Sequence, residues 1–168
     1  MKLAFVIPAY NEEALIGKCV ESVLAEVKRS GRDVEVVVVN NNSTDHTAEI
    51  AGSYPGVRVV DEKQKGLVSA RDGGFKATTA ELVANIDADT IVPEGWLDVV
   101  FAEFEKDPKL VCLSGPYIYY DLGGWNRFLI SMFYGLTWLI YVVNHYILRV
   151  GSVVQGGNFV LKRDAWTR

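Results

Sequence analysis

The triplet Asp87-Ala88-Asp89 follows the apolar run Leu82–Ile86 and brings two carboxylates to the end of a predicted strand. Side chains at positions i and i+2 of a strand point the same way, so these carboxylates are expected to lie side by side. A hard divalent cation, Mg²⁺ or Mn²⁺, relieves their repulsion and bridges them to a diphosphate. Ligands of open α/β sheets bind at the carboxyl ends of the strands. The triplet therefore predicts a metal–diphosphate site, although a solvated turn also explains it.

Two more polar loops follow predicted strands. In the loop after Leu3–Ile7, Tyr10 could stack on a planar base and Glu12 could accept a hydrogen bond from a sugar hydroxyl. A strand-to-helix turn capped by Asn11 explains the same residues. The loop Asn40–Asp45 after the next strand equally suits a tight turn. Because parallel strands end at one edge of a sheet, however, all three loops are expected to open on the same edge.

The elements that must position these loops alternate along the chain, as in a parallel sheet covered by helices. Strands are predicted at Leu3–Ile7, Val34–Val39, Val57–Val60, Leu82–Ile86 and Leu110–Ser114. Helices are predicted between Asn11 and Gly31, near His46–Gly52, around Gly66–Ala80, and from Pro93 through Phe104. The sequence therefore predicts one α/β domain over residues 1–168.

Composition narrows the function classes. A net charge of −4 over 168 residues, with no basic cluster longer than Lys28-Arg29, argues against nucleic-acid binding. Cys19 and Cys112 each fall within an apolar pattern, so both are expected to be buried and reduced, as on the cytosolic side of a membrane. The apolar run that ends at Ile7 is shorter than a signal-peptide core.

Residues 117–150 differ from the rest, with six of the eight tyrosines and two of the four tryptophans. The apolar run Phe128–Val143 is shorter than the ~20 residues that span a bilayer. Aromatic and apolar residues flanked by Arg127 and Arg149 are typical of a helix lying in a membrane interface. We therefore predict an interfacial helix over residues 125–149. There are two alternatives. The helix could span a membrane, or it could pack against a missing part of the protein or a partner.

Taken together, these motifs resemble the inverting, metal-dependent glycosyltransferases of family 2, over essentially the whole chain. The matching segments are Pro8-Ala9-Tyr10-Asn11-Glu12, Val39-Asn40-Asn41-Asn42-Ser43-Thr44-Asp45, Gly66-Leu67-Val68-Ser69-Ala70-Arg71-Asp72, Asp87-Ala88-Asp89 and Gln155-Gly156-Gly157-Asn158. The resemblance implies a GT-A fold, which is a Rossmann-like α/β domain with a mostly parallel sheet.

The resemblance also implies a role for each matching residue. A nucleotide-diphospho-sugar would be bound by Pro8, Ala9, Tyr10, Glu12, Asn41, Arg71, Asp87 and Ala88. Asp87 and Asp89 would hold Mg²⁺ or Mn²⁺, and Gly156, Gly157 and Asn158 would lie on the acceptor side.

Two departures from the family pattern are visible. Asn40 and Asn41 stand where the family usually carries aspartate, which affects the expected nucleotide preference. The family's catalytic carboxylate follows the Gly-Gly-Asn segment by a couple of dozen residues, so the base is expected beyond Arg168 and the domain is expected to be C-terminally incomplete. Asp164 is a weak fallback for the base and suits a helix N-cap better.

The expected function is sugar transfer from a nucleotide-diphospho-sugar to a lipid-linked or envelope glycan acceptor. The expected location is the cytoplasmic side of a membrane, in peripheral contact with it. The alternative is a non-catalytic nucleotide-sugar-binding or membrane-associated interaction module. Dinucleotide-binding, P-loop and α/β-hydrolase motifs do not occur in the sequence.

Overall fold

The computed structural model describes residues 1–116, 123–148 and 156–166. The chain divides into two compact units: Met1–Leu113 with Gly157–Arg168, and Ser114–Gly156. Gln155 of the predicted acceptor segment and Arg149 of the predicted interfacial helix lie outside the described residues.

The first unit contains a six-stranded sheet of order β3-β2-β1-β4-β6-β5. The strands are β1 Leu3–Ala9, β2 Val34–Asn40, β3 Val57–Asp61, β4 Leu82–Ile86, β5 Cys112–Ser114 and β6 Asn158–Lys162. The pairs β1–β2, β1–β4 and β2–β3 are parallel, whereas β6 runs antiparallel to β4. The predicted α/β fold with a mostly parallel sheet is therefore confirmed.

Helices cover both faces of this sheet. The α-helices of the first unit are α1 Ile16–Ser30, α2 Thr47–Gly52, α3 Leu67–Ala77, α4 Trp96–Lys106 and α6 Arg163–Trp166, and α5 Gly124–Val142 belongs to the second unit. Apolar side chains of α1 and α4 form one core with alternate residues of the strands. Residues of α3 form a second core with the remaining strand residues, on the opposite face. β1 and the centre of β2, Val36–Val39, are buried because they contribute to both cores.

Two predicted boundaries near the first loop were wrong. Helix α1 begins at Ile16 rather than after Asn11, which adopts a left-handed φ of 55° and does not cap the helix. β1 continues through Pro8 to Ala9 instead of ending before the proline. The pairing of β1 with β4 ends at Val6, so beyond that residue β1 is hydrogen-bonded only to β2. Pro8, which has no N–H group, can therefore be part of the strand.

The C-terminal part of the first unit also differs from the prediction. β6 was not predicted, because its apolar run Phe159–Leu161 is only three residues long and shows no strand period. Asp164 is the second residue of α6 and therefore does not act as its N-cap. Cys19 is buried as expected, whereas Cys112 is only partly buried, and both are free thiols.

Gly74 allows α3 to approach the sheet closely. A Cβ atom at this position would lie 2.2 Å from Val6 Cγ1, well inside van der Waals contact. The glycine that weakens the helical pattern in the sequence therefore sets the distance between α3 and β1. This close packing places Ala70 and Arg71, at the fourth and fifth positions of α3, near the carboxyl end of the sheet.

The second unit contains one long helix. α5 continues into a π-helical segment, Val143–Leu148, so the helical stretch covers 25 residues. An 18-residue window of it has a mean hydropathy of 1.3 and contains no buried residue. By length and composition it is the one helix of the described residues that could cross a membrane. The helix is thus longer than the apolar run on which the prediction of an interfacial helix was based.

Candidate functional site

A cavity of about 580 Å³ opens at the carboxyl edge of the sheet, at the ends of β1, β2 and β4 and the start of α3. It lies where the strand order reverses direction, between β1 and β4, which is where open α/β sheets bind ligands. Its walls are formed by Pro8, Ala9, Tyr10, Glu12, Asn41, Lys65, Gly66, Leu67, Ala70, Asp87, Ala88 and Asp89. Every predicted nucleotide- and metal-binding residue except Arg71 lines this cavity.

Asp87 and Asp89 share the cavity for a different reason from the one the sequence suggests. β4 ends at Ile86, and the backbone then turns, with Thr90 N–H donating to Asp87 O at 3.0 Å. This turn, rather than the alternation of a strand, places both carboxylates on the cavity wall.

The cavity is rich in carboxylates. Partial burial and the negative charges of Asp89, Asp45 and Asp87 raise the pKa of Glu12. The cavity therefore carries an excess of negative charge, and a cation bound there would be stabilised.

The carboxylates of Asp87 and Asp89 fit a hard divalent cation whose remaining ligands come from substrate phosphates or water. No group of three or more His, Cys, Asp or Glu side chains within the described residues is close enough to hold a metal alone. Mg²⁺ is commonly bound by one or two carboxylates together with substrate phosphates and water. Asp87 and Asp89 supply that number of carboxylates on the cavity wall.

Arg71 lies behind the cavity wall, in contact with Asp87. Its Nη2 is 3.3 Å from Asp87 Oδ1, and its side chain is only 15% exposed. The guanidinium carbon lies 5.5 Å from the centre of the Phe159 ring. Arg71 therefore contacts a residue of the cavity wall without lining the cavity itself.

Lys65 lines the cavity but was not predicted. Its Nζ lies 5.2 Å from the centre of the Tyr10 ring, which is 47% exposed at the cavity mouth. A ring exposed in this way can stack on a planar base, and Lys65 brings a positive charge next to it. The basic pair Lys63 and Lys65 just before Gly66 is the signal in the sequence that could have identified it.

Asn41 shows why an amide replaces the aspartate that the family usually carries. Its Nδ2 donates to Glu62 O at 3.0 Å and to Gln64 O at 2.7 Å, while its Oδ1 accepts from Gly66 N–H at 2.8 Å. A carboxylate cannot donate, so an ionised aspartate would leave both carbonyls without partners. Asn41 therefore holds the loop that carries Lys65 and Gly66 at the cavity.

The loops after β1 and β2 are bonded to each other. Glu12 N–H donates to Thr47 Oγ1 at 2.8 Å, and Asn11 Oδ1 accepts from Thr44 N–H at 2.8 Å. Asp45 Oδ2 accepts from Glu13 N–H at 3.2 Å. The polar residues that also suited turns in the sequence thus join two loops beside the cavity.

Two residues of the predicted acceptor segment, Gly157 and Asn158, lie next to the acidic triplet. Asp87 N–H donates to Gly157 O at 3.2 Å, and Asn158 pairs with Ile86. Gly156 belongs to the second unit. Asp164 instead lines a separate cavity beside Leu82, at the opposite end of β4. The length of β4 therefore separates it from Asp87, which does not support the fallback role of base.

Comparison with known proteins agrees with this geometry. Residues 4–166 match the model of the family described as glycosyl transferase family 2. The chain is 30% identical over 125 residues to glycosyltransferase GlyG of Streptococcus pneumoniae, and 34% identical over 127 residues to the uncharacterized glycosyltransferase YibD of Escherichia coli. These matches cover 71% and 73% of this chain, respectively.

A solved structure shares the fold. The mannosyltransferase PcManGT of Pyrobaculum calidifontis, in complex with GDP-Man and Mn²⁺, superimposes with a TM-score of 0.72 at 22% identity, over 99% of this chain and 46% of that one. The chain also spans only 40% of the length of GlyG and 36% of that of YibD.

Proposed function

The chain belongs to glycosyl transferase family 2, and from this premise we propose that it binds a nucleotide-diphospho-sugar together with Mg²⁺ or Mn²⁺ and transfers the sugar with inversion. The observation that carries the proposal is the cavity at the ends of β1, β2 and β4, which contains an exposed aromatic ring and a pair of carboxylates. The complex of PcManGT with GDP-Man and Mn²⁺ supports it.

In this proposal each wall of the cavity binds one part of the donor. Tyr10 stacks on the base, Glu12 accepts from a sugar hydroxyl, and Asp87 and Asp89 face the metal and diphosphate. A divalent cation, when bound, neutralises the charge that develops on the diphosphate leaving group. A carboxylate base deprotonates the acceptor hydroxyl, and Gly157 and Asn158 lie on the side from which the acceptor approaches.

A thermal-shift panel tests the binding. UDP-, GDP- and dTDP-sugars are added to the chain with and without Mn²⁺, and at least one is expected to raise the melting temperature only when Mn²⁺ is present. At 100 times Kd a ligand stabilises the folded state by about 2.7 kcal/mol, which is easily detected. If no donor shifts the melting temperature with Mn²⁺, or with Mg²⁺ in its place, the proposal is wrong.

The alternative is a non-catalytic nucleotide-sugar-binding module. Both functions predict the same thermal shift, so the discriminating measurement is release of nucleoside diphosphate when a lipid-linked or glycan acceptor is added. Donor-dependent, acceptor-stimulated release supports the transferase. Binding without release under any acceptor favours the module.

We also propose that α5 lies in a membrane interface, which brings the chain to the cytoplasmic side of a membrane and to a lipid-linked or envelope glycan acceptor. The support is the apolar surface of the helix, where Trp125, Phe133 and Trp138 are 72%, 65% and 65% exposed. Large aromatic rings of this kind favour the headgroup region.

The chain should sediment together with anionic liposomes, whereas the double variant Phe133→Glu, Trp138→Glu should stay in the supernatant. Val99→Glu is the matched control, because Val99 is 62% exposed on α4 and lies outside the second unit. An interfacial helix is released by an alkaline carbonate wash, whereas resistance to the wash would indicate a spanning helix. If the unmodified chain does not sediment, a protein partner becomes the better explanation.

A further inference from the structure

Asn85 is a buried polar residue to which the proposed function gives no role. It lies in β4, two residues before Asp87, with none of its surface exposed. Neither its Nδ2 nor its Oδ1 has a hydrogen-bond partner within residues 1–116, 123–148 and 156–166. A buried amide without partners destabilises a fold, so its place in a central strand requires an explanation.

The alternation of β4 shows which face Asn85 occupies. Val83, two residues earlier, belongs to the core beneath α3, so Asn85 faces the same side. Its partner across the sheet in β6 is Phe159, and paired residues present their side chains on one face. The guanidinium of Arg71, from α3, lies over this same Phe159 ring. Asn85 and Arg71 therefore share a neighbour on the α3 side of the sheet.

Arg71 has a complementary unpaired atom. Its Nε is buried and has no hydrogen-bond partner in the described part of the chain, although its Nη2 contacts Asp87. Nε–H can only donate, and Asn85 Oδ1 can only accept. The two groups that need a partner are thus of opposite type and lie beside one ring.

The two atoms form no direct hydrogen bond in the structure. We propose that Asn85 is a positioning residue whose Oδ1 is linked to the Nε–H of Arg71 by one water molecule, which accepts from Nε and donates to Oδ1. Held at Nε by Asn85 through this water molecule, the guanidinium keeps its Nη2 against Asp87 and so fixes the orientation of a carboxylate on the cavity wall. Outer partners of this kind orient the groups that bind a metal and its ligand. The consequence for ligand binding rests on the proposed function, whereas the contact between Asn85 and Arg71 does not.

A matched pair of variants separates the oxygen from the shape of the side chain. Asn85→Val and Asn85→Thr have nearly the same shape and suit a strand, but only threonine keeps an acceptor oxygen. Asn85→Leu provides a second apolar variant if Asn85→Val does not fold. Urea unfolding confirms that each variant is folded before it is compared.

The first measurement uses the protein without any ligand. The Nε–H resonance of Arg71, assigned by its loss in Arg71→Lys, is followed by NMR, and its exchange with solvent is measured. We expect exchange to be at least tenfold faster in Asn85→Val than in wild type, and close to wild type in Asn85→Thr. Equal exchange rates in the two variants would overturn the proposed contact.

The second measurement is the affinity for UDP and for GDP, each with Mn²⁺, by calorimetry. Removing an outer partner typically weakens binding roughly 10- to 100-fold, so Asn85→Val should bind about tenfold more weakly than Asn85→Thr. In an Arg71→Lys background, which has no Nε–H, this difference should disappear. Equal affinities of the two variants would refute the effect on binding. A wild-type chain that binds neither nucleotide would refute the proposed function, while the exchange rates would still decide the role of Asn85.

Discussion

Replacing Asp89 by alanine should remove the dependence of nucleotide binding on Mn²⁺ while leaving the fold intact. Asp89 is exposed in the turn after β4 and lines the cavity, so its carboxylate can bind a cation and contributes little packing. Loss of an outer partner costs up to roughly 100-fold in metal affinity, and loss of a direct ligand should cost at least as much. Calorimetry of UDP and GDP binding, with and without Mn²⁺, measures this difference.

Glu94→Ala is the control for Asp89→Ala. Glu94 is also an exposed carboxylate, five positions along the chain, and it does not line the cavity. Its removal should change neither the affinity nor the effect of Mn²⁺. Both variants should keep the free energy of unfolding within about 0.5 kcal/mol of wild type, as surface substitutions usually do. Unchanged Mn²⁺-dependent affinity in Asp89→Ala would show that the metal is bound elsewhere or not at all.

The largest loss of stability is expected at Glu26, a carboxylate of α1 that is only 2% exposed. It accepts hydrogen bonds from Arg29 at 2.7 and 3.0 Å, from Gly95 N–H at 3.1 Å and from Leu97 N–H at 2.9 Å. The last two donors are at the start of α4, so Glu26 joins the two helices. Glu26→Ala leaves these donors unpaired and should cost about 3 kcal/mol in urea unfolding.

The same carboxylate should give the stability a dependence on pH. The hydrogen bonds from Arg29, followed by those from Leu97 and Gly95, lower the pKa of Glu26 from its usual 4.5 to about 2. A lowered pKa in the folded state means that the stabilisation is complete above pH 4.5 and is lost as the pH falls towards 2. Glu26→Gln should flatten the unfolding free energy across this window, whereas Glu105→Ala, an exposed residue of α4, should not. If Glu26→Gln keeps the wild-type pH profile, another carboxyl group is responsible.

Much of the cavity could be predicted from the sequence, because most of its residues immediately follow strands. Apolar periodicity located β1, β2 and β4, and parallel strands bring their carboxyl ends to one edge. Tyr10, Glu12 and Asp89 therefore had to lie near each other whatever the details of the turns. The family resemblance added Asn41 and Arg71, which local patterns alone do not identify.

Contacts between residues that are far apart in the chain were decided only by the tertiary structure. The amide of Asn41 is required by carbonyls of a loop more than twenty positions later, and β6 forms because β4 offers it an edge. In the sequence, Asn85 is only a polar residue within an apolar strand. Its proposed role depends on Arg71, which α3 brings to the same face of the sheet. Local periodicity records which face of an element is buried, but hydrogen bonds between polar groups depend on distances that are set only when the elements pack.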